Sequence, residues 1–290
     1  MTINDKLTPP LSFTDETFDQ DATLTYHLSI QLGFDEFSFC VLDISRNKYL
    51  ALTHYNFQRI RNENQLNTAV STIFKETDLL NKSYKTVSVS VINNKSTLVP
   101  NPLFAHEKLS DYLKFNSEFE IGFNITTDTL KTLDTRNVYA VSQGLEKTIK
   151  KYFSSAKIIH HSSSLLEGLL TNYKNISERN FFVNVRTTSF DAVLMEGKKL
   201  IFYNSFNYQT NEDFVYYLLF VCEQLKLNPE NQKLILLGNI EKNSNLYALL
   251  YKYIRQIQFI EQNSSFEYSY HFNEIPRHKF YHLLNQYLSN

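Results

Sequence analysis

The stretch from Phe181 to Phe206, FFVNVRTTSFDAVLMEGKKLIFYNSF, constrains the fold more than any other part of this 290-residue chain. It reads as three short strands in succession, FFVNV, FDAVLME and KLIFYNSF. Apolar and polar residues roughly alternate in each, and β-branched and aromatic residues are frequent. Arg186-Thr187-Thr188-Ser189 and Glu196-Gly197-Lys198 make the two turns. A helix and a further strand follow, ending at Leu237. The same series runs from Leu24 to Ile92. Closely spaced strands pair as an antiparallel meander, whereas a strand reached through a crossover helix pairs in parallel. An α/β chain of two lobes follows, each lobe with a mixed sheet flanked by helices.

In the first copy, Leu24–Leu32 alternates cleanly, with Leu24, Tyr26, Leu28, Ile30 and Leu32 on one face. Phe37–Ile44 and Tyr49–Tyr55 complete the meander. Asn62–Thr77 is a helix by the spacing of Leu66, Ala69, Val70 and Ile73, and Lys85–Ile92 is the parallel strand. Between Asn93 and Asn137 the pattern weakens. Thr97–Pro100 suggests a short strand, Leu103–Lys114 a helix, and Phe119–Thr127 and Val138–Ser142 extended pieces. Leu145–Phe153, Ala156–His160 and Ser163–Tyr173 then read as helix, strand and helix. The polar run Asn172–Asn180 marks the lobe boundary. The expected organisation is an N-terminal arm over residues 1–21, a first lobe over 22–176, and a second lobe over 177–290 that includes a C-terminal helix.

In the second copy Thr210 caps a helix, with Asp213 in capping-box position. The run EDFVYYLLFVCEQLKL is apolar on nearly all sides, so it is expected to be buried on two faces. After Pro276 a last helix carries an apolar stripe of Phe280, Leu283, Leu284, Tyr287 and Leu288, which requires a docking surface.

Composition narrows the class of function. A net charge of -1 gives no electrostatic reason to expect nucleic acid as a partner. No apolar run is long enough to cross a membrane, and the polar start MTINDKLTPP is unlike a signal peptide. Cys40 and Cys222 read as buried free thiols. A cytoplasmic protein is expected. His160-His161 sit side by side on an expected strand, where neighbours face opposite ways and do not share a metal ion. His278 and His282 have the i, i+4 spacing that suits zinc on a helix, but no cysteine or HExxH glutamate accompanies them, which favours a solvated helix face. No metal site is expected.

Several stretches carry a family resemblance. LSIQLGFDEFSFCVLD resembles the first phosphate loop of the actin-like ATPase superfamily, and FFVNVRTTSFDAVLMEG resembles the second. LILLGN is similar to its adenosine loop. VYAVSQGLEKTIKKYFSSAKIIHHSSSLLEGLL is similar to the segment that closes the first lobe in the pilus-assembly branch. NSFNYQTNEDFVYYLL, YKYIRQIQF and the late His-Lys-Phe resemble a family of uncharacterised, mainly Bacteroidetes proteins with this fold. The resemblance implies a two-lobe actin-like ATPase (ribonuclease H-like) fold with a nucleotide site in the cleft.

Set on that pattern, the loop positions are Gln31, Gly33, Asn184, Arg186 and Gly238, and they depart from it. Family ATPases use loop acids to hold hydrated magnesium. Gln31 and Asn184 are neutral amides that bring no charge to a cation. Arg186 stands where a glycine is usual. It either binds an anion or makes a structural ion pair with an acidic neighbour such as Asp35 or Glu36. The resemblance so read implies a non-catalytic relative without a cofactor, acting as a scaffold or interaction module with a protein partner. The alternative is a nucleotide- or anion-binding sensor.

Overall fold

The computed structural model describes residues 10–58, 60–115 and 121–289. Residues 1–9 of the expected arm, and the start of the extended piece expected from Phe119, lie outside the described residues. The chain divides into two compact units, one of Met1–Gly168, Ser264–Phe272 and Leu283–Asn290, the other of Leu169–Asn263 and Asn273–His282.

The first unit begins with β1 (Leu11–Thr14), β2 (Tyr26–Leu32), β3 (Glu36–Asp43) and β4 (Lys48–Asn56). Then come α1 (Glu63–Glu76), β5 (Thr86–Val91), β6 (Ser96–Pro100), α2 (Leu109–Lys114), β7 (Phe123–Leu130) and β8 (Thr135–Ser142). α3 (Gln143–Tyr152), β9 (Lys157–His160) and α4 (His161–Tyr173) follow. The main sheet has the order β1-β4-β3-β2-β5-β9. The meander β2–β3–β4 is antiparallel, and β5 and β9 join in parallel. β6, β8 and β7 form a separate antiparallel sheet. Tyr26, Leu28, Ile30 and Leu32 face a core filled by Leu66, Val70, Ile73 and Phe74 of α1 and Leu145 and Ile149 of α3. α1 starts where its Asn62 side chain accepts from the Gln65 N–H, the N-cap role for which asparagine is favoured.

The second unit contains β10 (Arg179–Val185), β11 (Ser189–Glu196), β12 (Lys199–Asn207), α5 (Asn211–Gln224), β13 (Leu234–Gly238), α6 (Asn245–Leu250) and β14 (Ile257–Phe259). Its sheet runs β12-β11-β10-β13-β14. The strand senses repeat those of the first unit: an antiparallel meander, then two parallel strands. The repetition extends to an irregularity. In the first unit the β3–β4 register slips between Val41 and Leu42, leaving Leu50 as an extra residue. In the second unit the β11–β12 register slips between Leu194 and Met195, leaving Ile201 extra. The capping box at Thr210 and Asp213 is present.

Several expectations are corrected. Thr23–Thr25 is a 3-10 turn, so Leu24 is exposed instead of opening the strand. Residues 103–108 are irregular or 3-10, and the helix expected from Leu103 begins at Leu109. α5 is buried on one side only: Tyr216 is 65% exposed and Phe220 46%.

The C-terminal region also differs. β15 (Glu267–Tyr268) pairs in parallel with β4, adding to the first unit's sheet. α7 (Tyr281–Asn285) spans five residues and passes into a 3-10 turn at Gln286–Ser289. The tail lies on the polar face of the first unit's sheet. Gln286 Nε2 donates to the carbonyls of Ile30 and Ser88 and to Ser88 Oγ at 2.9–3.1 Å. Tyr49 donates its hydroxyl to the Leu284 carbonyl at 2.5 Å. These bonds explain why Leu283–Asn290 groups with the first unit.

Candidate functional site

The first-lobe loop is the turn between β2 and β3. The N–H of Gly33 donates to the Glu36 carbonyl at 2.9 Å, which closes the turn. Gln31, the penultimate residue of β2, is buried. Its Nε2 donates to Glu36 Oε1 at 2.5 Å, while its Oε1 is buried with no hydrogen-bond partner. Glu36 lies 4.0 Å from His54 Nδ1 through its other oxygen. The first loop thus holds an acid after all, on the second strand of the hairpin instead of the first. Next to this turn Leu32, Phe34, Glu63, Ile92, Asn93 and Ser142 line a small recess. Burial raises the Glu63 carboxyl pKa, against a hydrogen bond from Ser142 and the charge of Lys95.

The second-lobe loop repeats the turn and the penultimate amide, with its acid at a different position. Asn184 is the penultimate residue of β10 and stands opposite Asp191 of β11. Its Nδ2 donates to Asp191 Oδ2 at 3.0 Å. The Arg186 N–H donates to the Ser189 carbonyl at 2.9 Å, the bond that Gly33 makes in the first loop. Arg186 is 6% exposed and turns its guanidinium onto Asp191, Nη1 to Oδ2 at 2.5 Å and Nη2 to Oδ1 at 3.1 Å. Arg186 Nε donates to Ser189 Oγ at 3.1 Å, and Nη2 also reaches Ser205 Oγ at 3.4 Å. Tyr203 donates to Asp191 Oδ1 at 3.3 Å. A planar guanidinium and a carboxylate matched two bonds to two form a strong, directional pair. Asp191 is fully buried, so removing its partner would leave a charge in a poorly solvated place.

Gly238 closes the loop from β13. Its φ is +86°, and a Cβ there would stand 2.2 Å from the Val185 carbonyl and 2.8 Å from Asn184 Oδ1. Only glycine fits both that conformation and that approach. The Gly238 N–H donates to the His278 carbonyl at 3.0 Å, and Asn239 donates to the Val185 carbonyl at 2.7 Å.

The structure therefore brings Asn184, Arg186 and Gly238 together in the second unit, and Gln31 with Gly33 in the first. It adds Glu36 and Asp191 as their acidic partners. The partner of Arg186 in this structure is Asp191, where the sequence suggested Asp35 or Glu36. The signal for Asp191 was present in the sequence, as a lone acid within the apolar strand FDAVLME. Its meaning depends on the turn length that places it opposite Asn184.

The histidines are placed differently from expectation. His160 ends β9 and His161 starts α4, so the change of element brings their rings to 4.4 Å instead of opposite faces. His160 Nδ1 bonds Ser162 Oγ at 2.7 Å and Nε2 bonds the Asn93 carbonyl at 3.1 Å. His278 precedes α7, so it does not share a helix with His282, and both are buried instead of solvated. His278 Nε2 donates to the Ile240 carbonyl at 2.6 Å, and burial holds its pKa below the usual imidazole value. Among the described residues no three His, Cys, Asp or Glu side chains are grouped to hold a metal ion.

The model of the family described as "Protein of unknown function (DUF3822)" matches residues 15–257. No curated protein matches the sequence. Among solved structures, a Bacteroides thetaiotaomicron protein with actin-like ATPase fold and unknown function superposes with a TM-score of 0.77 at 24% identity, covering 84% of this chain and 94% of that one. A chain of the PilM–PilN type IV pilus biogenesis complex gives a TM-score of 0.60 at 12% identity, covering 90% and 97%. The ethanolamine utilization protein EutJ from Carboxydothermus hydrogenoformans gives 0.50 at 7% identity, covering 91% and 90%. These likenesses identify the fold as the two-lobe actin-like ATPase fold.

Proposed function

The chain belongs to the DUF3822 family of proteins of unknown function, and from that premise we propose that it is a non-catalytic actin-like protein that serves as a scaffold or interaction module. The observation that carries this reading is the Arg186–Asp191 pair in the second loop. Arg186 and Asp191 neutralise each other inside the protein, which leaves neither the guanidinium ready for a phosphate nor the carboxylate ready for hydrated magnesium. In the first loop Glu36 accepts from the neutral amide of Gln31. For a phosphate to draw Arg186 away, Asp191 would have to stay buried without its cationic partner, at a cost of about 3–5 kcal/mol. That penalty exceeds the roughly 1.5–3 kcal/mol that one charge-assisted contact gains. The repeated series of elements, with its slip at the same place in both lobes, supports an internal duplication in which the loop positions have been turned to structural use.

A protein partner fits this reading, and the PilM–PilN complex shows the same fold in a protein assembly. A cytoplasmic location is consistent with two buried free cysteines. The second reading, an anion or nucleotide sensor, is favoured by one observation: Arg186 retains a guanidinium in a phosphate-loop position. A phosphate-release assay with Mg-ATP separates these readings from an active enzyme. No release above the buffer blank is expected. Release that depends on magnesium and is lost in Asp191→Asn or Glu36→Gln contradicts the proposal.

A further inference from the structure

The two lobes treat the same sheet edge in opposite ways. In the first, β4 is covered along its outer side by β1 in antiparallel pairing and by β15 in parallel pairing. The extra residue Leu50 is fully buried, and its carbonyl accepts from the Asp15 N–H at 2.7 Å. In the second, the corresponding β12 is the terminal strand of its sheet among the described residues. Its extra residue Ile201, at the place of Leu50, is 43% exposed. From Leu200 to Asn207 the strand reads LIFYNSFN, without a charge or a proline. An uncharged open edge is a template for another strand, and proteins that avoid pairing place lysine or proline there.

We infer that β12 is an interaction surface whose occupant is a second copy of this chain, paired antiparallel about a two-fold axis near Asn204. The charge pattern selects this arrangement. Lys198 and Lys199 lie at the start of β12, and Glu212 and Asp213 lie just past its end, in the first turn of α5. Antiparallel pairing of two copies sets the basic end of each against the acidic end of the other, whereas parallel pairing sets like against like. A two-fold axis at Asn204 places Phe202 of each copy opposite Phe206 of its partner. Aromatic cross-strand pairs of this kind stabilise sheets. Phe206 already stacks on Tyr217 of α5 at 5.8 Å, and the exposed Phe220 one turn further along the helix extends the apolar strip. The Ser205 N–H donates to Asn204 Oδ1 at 2.9 Å in the single chain. In the pair it would donate to the partner's backbone carbonyl at position 203. Both isologous contact and sheet continuation satisfy the symmetry of a two-fold dimer. This inference goes beyond the scaffold reading and does not depend on it, since the edge is present whether or not the loops take a nucleotide.

The test is sedimentation equilibrium of the full chain from low micromolar to several hundred micromolar, with hydrogen exchange of the β12 amides along the same series. Dimer is expected at the upper end, with slower exchange at Ser205 as concentration rises. Ile201→Lys combined with Asn204→Lys should leave a monomer with an unchanged melting midpoint in dilute solution. If that variant does not fold, Asn204→Lys alone, at an exposed position, should raise the dimer dissociation constant at least tenfold. A wild-type chain that stays monomeric throughout overturns the inference, as does a dimer that either folded variant preserves. Capture of a foreign extended peptide at β12 by a chain that remains monomeric also counts against it.

Discussion

Arg186 is the residue on which the proposed change in the use of the loop turns. The glycine expected there by resemblance would leave backbone N–H groups open to a phosphate. The arginine instead forms a buried pair with Asp191. Arg186→Ala should therefore destabilise the second lobe by about 3–5 kcal/mol, measured by urea unfolding, because it leaves the buried Asp191 charged without its cationic partner. The double change Arg186→Met with Asp191→Leu should recover much of that loss. An Arg186→Ala variant as stable as wild type would show that the pair is incidental.

A second residue-scale prediction concerns pH. Asp128 of β7 is buried and accepts from Ser163 Oγ at 2.6 Å, the His160 N–H at 2.8 Å and Tyr139 at 3.3 Å. Burial outweighs those donors and pushes its pKa up to about 6. A carboxyl raised in the folded state makes the folded protein bind more protons than the unfolded chain between roughly pH 4 and 6. Its contribution to stability is present below that window and falls as pH rises through it. His27 acts with the opposite sign, because burial lowers its pKa to about 3 and stability is lost as pH falls from roughly 6.5. The two slopes oppose each other between pH 4 and 6. Asp128→Asn removes the falling one, so the stability of the variant should climb more steeply with pH. The gain in slope should total on the order of 2–3 kcal/mol over the window. Parallel pH profiles for variant and wild type would contradict this assignment.

At the scale of elements, the C-terminal tail is a structural strap on the first unit. Leu283 and Leu284 are buried, and Gln286 is fully buried with its amide bonded across β2 and β5. Removing residues 276–290 should lower stability by several kcal/mol, at about 1.5–3 kcal/mol for each large apolar side chain withdrawn from the core. An unchanged melting curve would refute the strap.

Strongly periodic elements were legible in the sequence: β2 to β5, α1, β10 to β13 and α5 all lie within a few residues of their expected bounds. What was not legible depended on partners distant in the chain. β1 is a strand because β4 offers it an edge. Gln286 is buried because backbone carbonyls and Ser88 await it, although glutamine reads as a surface residue. The run in α5 reads as a helix buried on two faces, yet Tyr216 and Phe220 point away from the core. The loop amides Gln31 and Asn184 were visible as the ends of matching strands. Which acid each would meet was not: hairpin register sets Asp191 opposite Asn184 but Ser38 opposite Gln31, and Glu36 reaches Gln31 from the turn end of β3.

For the whole molecule, we propose that an actin-like fold has been kept while its phosphate loops have become internal polar contacts. On this proposal Glu36 and Asp191, each bound to a neighbouring loop amide, are not the anchors of a magnesium–phosphate complex. The most direct measurement is the melting midpoint with millimolar Mg-ATP, compared with ATP plus chelator. A ligand at about a hundred times its dissociation constant stabilises the folded state by roughly 2.7 kcal/mol, which corresponds to several degrees for a chain of this size. The account predicts no appreciable shift under either condition, and none in Arg186→Gly, which opens space without restoring a metal ligand. A magnesium-dependent rise of several degrees that Arg186→Ala abolishes would contradict it and make the protein a nucleotide sensor.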